Sequence, residues 1–139
     1  MRATVFDRYP VPPCARHLGW TLLDHDAARG WARSSFEARL EFLNPAGFVQ
    51  GGFVSAMLDD TMGPAAFLMT QGRSYSTTIN LNVQFIAPAR PGKFFGEGQV
   101  VNLGRTIVFL QGTLRDADGA VVATATSSAR LVAVEKLAA

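Results

Sequence analysis

Residues 44–63 read NPAGFVQGGFVSAMLDDTMG, and the run continues as PAAFLM to about Thr70. From Gly51 onward it is rich in Ala, Met and Leu, which favour helix. Apolar residues fall nearly all round the helical wheel, so the predicted helix over Gly51–Thr70 is buried on most sides. Pro64 has no N–H, so the carbonyl of Asp60 loses its usual partner and a kink or local loosening is expected there. NPAG, residues 44–47, is a loop signal. Two adjacent aspartates in the middle of such a helix are the anomaly.

The flanking sequence is mostly strand. Residues 1–13 look irregular, with Pro10, Pro12 and Pro13, and residues 14–18 suit a short helical turn. GWTLLDHD and GWARSSFEARLEF read as two strands joined by a tight turn near Asp26–Gly30. After Gly72, SYSTTINLNVQFIAP alternates, with Ile79, Leu81, Val83 and Phe85 on one face and Thr78, Asn80, Asn82 and Gln84 on the other. ARPG then marks a turn. KFFGEGQVVN and RTIVFLQGTLRD follow as strands linked at Leu103–Gly104, Asp116–Gly119 is a hairpin turn, and AVVATATSSARLVAV is the last strand. The order is two strands, one long buried helix and four strands joined mostly by short turns, so antiparallel pairing is expected. This predicts one α+β domain over 1–139, its sheet curled round the helix. The outward face and edges of that sheet would stay partly apolar, which invites self-association.

Composition narrows the function. The chain has 139 residues, 48% hydrophobic and 17% charged, which fits a folded protein and not a disordered one. Its formal charge is +2, and its 13 basic residues are scattered along the chain. No cluster points to nucleic acid, although a small anionic ligand would suit this balance. Cys14 stands alone, so no intrachain disulfide forms. The opening residues lack the apolar core of a signal peptide, and no run approaches the ~18 apolar residues of a membrane span. A cytoplasmic protein without membrane contact is expected. His17, His25 and Cys14 give no zinc spacing, so no metal is expected, and no phosphate- or dinucleotide-binding glycine motif occurs.

Chemistry concentrates around the helix start. Gly51 and Gly52 offer free backbone N–H groups, the positive end of the helix dipole and close access for a ligand. Such a terminus can polarise a carbonyl. Asp59, two turns further on among Met57, Leu58 and Met62, is a carboxylate that burial would make costly, and it could act as general base on water or attack a carbonyl directly. Asn44 and Gln50 can orient a carbonyl or a water without taking a proton. Arg90 and Lys93 bracket a turn and could meet phosphates. Phe48, Phe53, Met57 and Phe67 are equally plausible as pocket lining and as core. Each feature also has a plain structural reading: a glycine pair in a tight turn, an exposed helical Asp, an Asn-Pro turn, solvated basic residues. Asp59 and Asp60 are about 100° apart on the helix, so at most one faces a given site.

The run Asn44–Pro88 resembles the hotdog-fold acyl-CoA thioesterases, and within them the phenylacetic-acid-degradation type of the 4-hydroxybenzoyl-CoA thioesterase-like superfamily. That family shows an Asn, a gap, His-Gly-Gly, and an Asp seven residues after the second Gly. Asn44, Gly51, Gly52 and Asp59 fall at those places, and Met62-Gly63 matches the family's Asp-Thr-Ala-Met-Gly run, which selects Asp59 over Asp60. TTINLNVQFIAPARPGK is similar to the family strand that ends in a Pro-Ala-basic turn. The resemblance implies a long central helix wrapped by a curved antiparallel sheet of five to six strands. It also implies a homodimer or homotetramer with its site at the dimer interface, and hydrolysis of an acyl-CoA with no cofactor beyond the CoA of the substrate. Gly51 would polarise the thioester carbonyl, Asn44 would orient it, and Asp59 would be base or nucleophile. Thr78 would come from the partner subunit and help to hold water, and the turn with Arg90 and Lys93 would lie near the CoA phosphates. Asp60 stands where the family has Thr, and two neighbouring charges would raise the proton affinity of both carboxylates. The family His is Gln50 here, which can donate a hydrogen bond but cannot carry a proton. This departure motivates an alternative reading, a hotdog protein that binds an acyl ligand without turnover. A purely structural dimer module is a third reading, and it leaves the helical aspartate unexplained.

Overall fold

The computed structural model describes residues 3–137, so Met1 and Arg2 of the irregular opening lie outside it. The described part of that opening holds a 3-10 turn, Val5–Arg8, capped reciprocally by Thr4 and Asp7, and a short helix α1, Pro13–His17. Strands β1, Thr21–Asp26, and β2, Trp31–Ala38, follow. Next come the long helix α2, Gly51–Met69, and strands β3, Ser74–Phe85, β4, Gly92–Leu103, β5, Ile107–Asp116, and β6, Val121–Ala133. β2 ends sooner than its sequence pattern predicts. A 3-10 turn at Leu40–Phe42 breaks it and plants Phe42 in the core, where its ring stacks on Phe53 at 4.1 Å between centroids. α2 runs through Pro64 as one uninterrupted helix.

The six strands form one antiparallel sheet in the order β1-β2-β4-β5-β6-β3, and α2 lies across its inner face. Phe36, Phe94, Val108 and Leu114 from the sheet meet Met57, Leu58 and Met62 from the helix, all essentially fully buried. The approach is close because the sheet is cut away beneath the helix. A methyl group on Gly96 or Gly98 would overlap Thr61, and one on Gly112 would press on Met62. Thr61 tolerates this buried place because its hydroxyl donates to the Met57 carbonyl one turn back, at 2.7 Å.

Two features of β3 position the site. It is an edge strand, so the chain from Ile86 to Pro91 must cross β6 and β5 to reach β4. The crossing passes the start of α2, where the Ala89 carbonyl accepts from Val49 at 2.8 Å. Second, β3 carries a bulge. Thr78 pairs with Ala129 and Asn80 with Ser128, leaving Ile79 as an inserted residue. An inserted residue shifts the alternation by one. Thr78 therefore shares the helix-facing side with Leu81 and Val83, where strict alternation placed it on the opposite one, and Ile79 is 62% exposed instead of inward.

Candidate active site

The loop 44–50 is built around Asn44. Its side-chain oxygen accepts from the N–H groups of Ala46, 3.0 Å, and Phe48, 3.1 Å. That is the turn reading of Asn-Pro, and it leaves the Asn44 amide N–H groups to point elsewhere. The loop delivers the chain to Gln50, the N-cap, whose exposed side chain makes no capping bond. The Gly51 and Gly52 N–H groups open α2 and make no backbone bond to the loop before them, as expected of a first helical turn.

A groove of about 410 Å3 lies at this end, bordered by Asn44, Phe48, Gly51 and Val54 on one wall and by Phe85 to Ala89 on the other. The Phe85 ring covers Gly51 so closely that a methyl group there would sit 3.3 Å from it. Strand alternation reads Phe85 as core; its position at the last residue of β3, beside the helix start, makes it a wall of the groove. Arg90 stands at the rim with its guanidinium 5.5 Å from the Phe48 ring centre. Lys93, the second residue of β4, pairs with Glu37, is exposed, and does not border the groove. Of the other candidate lining residues, Phe53 stacks on Phe42, Met57 is core, and Phe67 packs against Phe6 and Tyr9; only Phe48 borders the groove.

The two aspartates part company. Asp59 is exposed, contrary to the buried carboxylate expected from its apolar neighbours, because its side of α2 looks past the edge strand, where no element among the described residues covers it. The Thr78 hydroxyl donates to Asp59 Oδ1 at 2.9 Å. This contact joins two residues of one chain, where the family resemblance supplied Thr78 from the partner. Asp60, turned about 100° further round, lies on the stripe with Phe53 and Phe67. His17 packs against Phe53, and Phe6 and Tyr9 against Phe67, so the N-terminal segment covers that stripe. Asp60 Oδ2 is buried without a hydrogen-bond partner among the described residues. Burial first, and the Asp59 charge second, push the Asp60 carboxyl up to about 6.

The structure thus makes two groups on one flank of α2. Asn44 and Gly51 meet at the groove; Asp59 and Thr78 meet two turns along the helix. Eight residues at 1.5 Å each separate Gly51 from Asp59 by about 12 Å along the axis. Among the described residues, no helix is long and apolar enough to cross a membrane.

Comparison with known proteins bears on this arrangement. The Thioesterase superfamily pattern matches residues 46–123, from the loop before α2 into β6. A phenylacetic acid degradation-related protein from Ralstonia eutropha JMP134 is 35% identical with a TM-score of 0.85, covering 91% of this chain and 95% of its own. A thioesterase family protein from Silicibacter pomeroyi is 26% identical with a TM-score of 0.82, covering 93% and 96%. A curated relative from Saccharolobus solfataricus, whose name proposes an esterase, is 32% identical over 88 residues, which is 63% of this chain and 62% of the relative's length. The helix-on-sheet architecture is the hotdog fold of these proteins.

Proposed function

The chain belongs to the Thioesterase superfamily, and from that premise we propose that it hydrolyses an acyl-CoA thioester to free acid and CoA. The observation that carries this reading is the Asp59–Thr78 hydrogen bond of 2.9 Å on the uncovered flank of α2. It holds one carboxylate oxygen and leaves the other free to take a proton from water or to attack the acyl carbon. The helix start supplies the complementary electrostatics. The Gly51 N–H donates to the thioester oxygen as negative charge builds there, with the Asn44 amide and the neutral Gln50 side chain as further donors. Phe48 and Phe85 offer apolar surface to the acyl group, and Arg90 at the rim suits a CoA phosphate.

A donor and a base serving the same carbonyl must each lie within about 3.5 Å of it. Gly51 and Asp59 of one chain, about 12 Å apart, cannot do so together. The reading therefore includes a second copy. β3 is a twelve-residue edge strand with Tyr75, Ile79 and Phe85 more than half exposed, and such an edge invites pairing. Two β3 edges paired about a two-fold axis bring the two α2 helices side by side and antiparallel. With the axis near Ser55, midway between Gly51 and Asp59, the Gly51 N–H of one copy faces Asp59 of the other. Gly51, Ser55, Asp59 and Gly63 lie along that flank, and three of the four are small enough for close approach.

The test is a panel of acyl-CoA substrates with release of free CoA followed by a thiol reagent. Turnover is expected from the wild type, and a loss on the order of 10²–10⁴-fold from Asp59→Asn. Equal rates for the two proteins would remove Asp59 from the mechanism. Calorimetric binding of acyl-CoA with CoA release at background would instead establish a binding protein, the outcome that the loss of the family His at Gln50 favours.

A further inference from the structure

Phe53, Asp60 and Phe67 are spaced by seven residues on α2 and so share one face of it. The first part of the chain lies along that face. Phe6 and Tyr9 meet the Phe67 ring at 5.1 and 6.0 Å between centroids, and Val5 lies with that ring against Gly72. His17 of α1 meets the Phe53 ring at 6.4 Å. Asp60 falls between these two attachments, and the proposed hydrolysis gives its carboxyl no task. The two attachments differ in strength. At the α1 end Ala15 and Leu18 are buried, and the Leu18 carbonyl accepts from the Glu37 N–H of β2 at 2.9 Å. From Ala3 to Pro12 no residue is fully buried.

We propose that residues 3–12 are a pH-released strap, anchored at α1, that lies closed over Asp60 while its carboxyl is protonated and lifts when the carboxyl ionises. Two buried polar atoms border the strap without a hydrogen-bond partner among the described residues, Asp60 Oδ2 and Trp20 Nε1. Phe6 of the strap stands edge-on to the Trp20 ring at 5.5 Å. Lifting the strap gives both atoms water, and it disturbs only partly buried contacts, so the local opening is cheaper than unfolding the core. The charges around Asp60 do not relieve it. No Lys or Arg among the described residues pairs with it. Asp59 is its neighbour on α2. On β3 the Tyr75 phenol is pushed up by burial first, then by Cys14 of α1 and by Asp59 and Asp60, so it stays neutral. Asp7 and Arg8 of the strap, Arg16 of α1 and Glu37 of β2 are all exposed. His17 accepts from the Arg39 guanidinium at 2.6 Å; its protonation would break that bond and loosen the α1 end on the acid side, opposite in sign to Asp60.

The sign for Asp60 follows from linkage. Its carboxyl binds a proton with a value of about 6 under the closed strap and returns toward 3.8 when water reaches it. The ratio of open to closed strap therefore rises with pH between those values and levels off above them. The inference does not depend on thioester hydrolysis. Hydrogen exchange followed by NMR on the full chain tests it, with the Trp20 indole N–H as reporter and Trp31→Phe to assign the two indole signals. After correction for the intrinsic rate, exchange of that proton is expected to speed up about tenfold from pH 5 to pH 7.5, most of it below pH 6.5. The amides of Leu110 and Leu114 in β5 are expected to show no such change. In Asp60→Asn, and in Asp60→Thr as a second uncharged variant, the corrected rate is expected to be flat with pH. A flat rate in the wild type, an equal rise in both variants, or a parallel rise at Leu110 and Leu114 would overturn the inference.

Discussion

At the scale of single residues, Asp60 is a carboxyl group at odds with its surroundings. The sequence shows two neighbouring carboxylates and the expectation that each raises the other's proton affinity. The structure adds the larger cause for Asp60, burial beneath the N-terminal segment with Oδ2 unpartnered among the described residues. Its carboxyl rises from 3.8 to about 6, so the native state binds this proton more tightly than the unfolded chain. Between those values the native state carries more protons, and by linkage native stability falls as pH rises through that window. Above it Asp60 is a standing cost. The full shift corresponds to about 3 kcal/mol, and partial solvent access reduces this to about 2. Asp60→Asn is therefore expected to be more stable than wild type by about 1–2 kcal/mol at pH 8, with the gain shrinking to nothing near pH 4. Urea unfolding at the two pH values measures it. An equal gain at both would mean that charge is not the reason.

At the scale of elements, the packing of α2 on the sheet rests on three glycines. Gly98 has the hardest neighbour, the backbone carbonyl of Thr61, which cannot turn aside as a side chain can. Gly98→Ala is expected to destabilise the protein by about 1–3 kcal/mol, the usual range for overpacking, and to lower the thermal midpoint measured by calorimetry. Gly119→Ala serves as the contrast for space, since its Cβ would meet nothing within 4 Å, although its φ of +87° brings a backbone cost of its own. The long helix was legible because its Ala-Met-Leu content and its apolar residues nearly all round the wheel are local properties. The strands were legible for the same reason. The bulge at Ile79 was not, since an extra residue in β3 shows only against the register of β6, a strand more than forty residues away. That single insertion decides whether Thr78 faces the helix. The early end of β2 was hidden likewise, because Leu40–Phe42 turns to seat Phe42 against Phe53 of α2.

At the scale of the whole molecule, the spacing of Gly51 and Asp59 was readable in the sequence, but its consequence was not. Asp59 looked buried because its neighbours are apolar; it is exposed because β3, placed at the sheet edge by a crossing over β6 and β5, leaves that flank of α2 open. A flank that is open in one chain and carries half of the proposed machinery at each end makes a specific demand on assembly. If the site joins Gly51 of one copy to Asp59 of the other, two variants that are each inactive should rescue one another. Asp59→Asn removes the base and keeps the helix start. Gly51→Val keeps the base and blocks the N–H, because even a methyl group at this position would lie 3.3 Å from the Phe85 ring and the larger side chain would run into it. In a mixed dimer, one site then holds two altered residues and the other holds Gly51 from the first variant and Asp59 from the second, both intact. Random pairing makes half of the dimers mixed, each with one working site of two, so about a quarter of wild-type CoA release is expected after co-refolding in equal amounts. A site built within one chain would give none, because neither variant carries both groups.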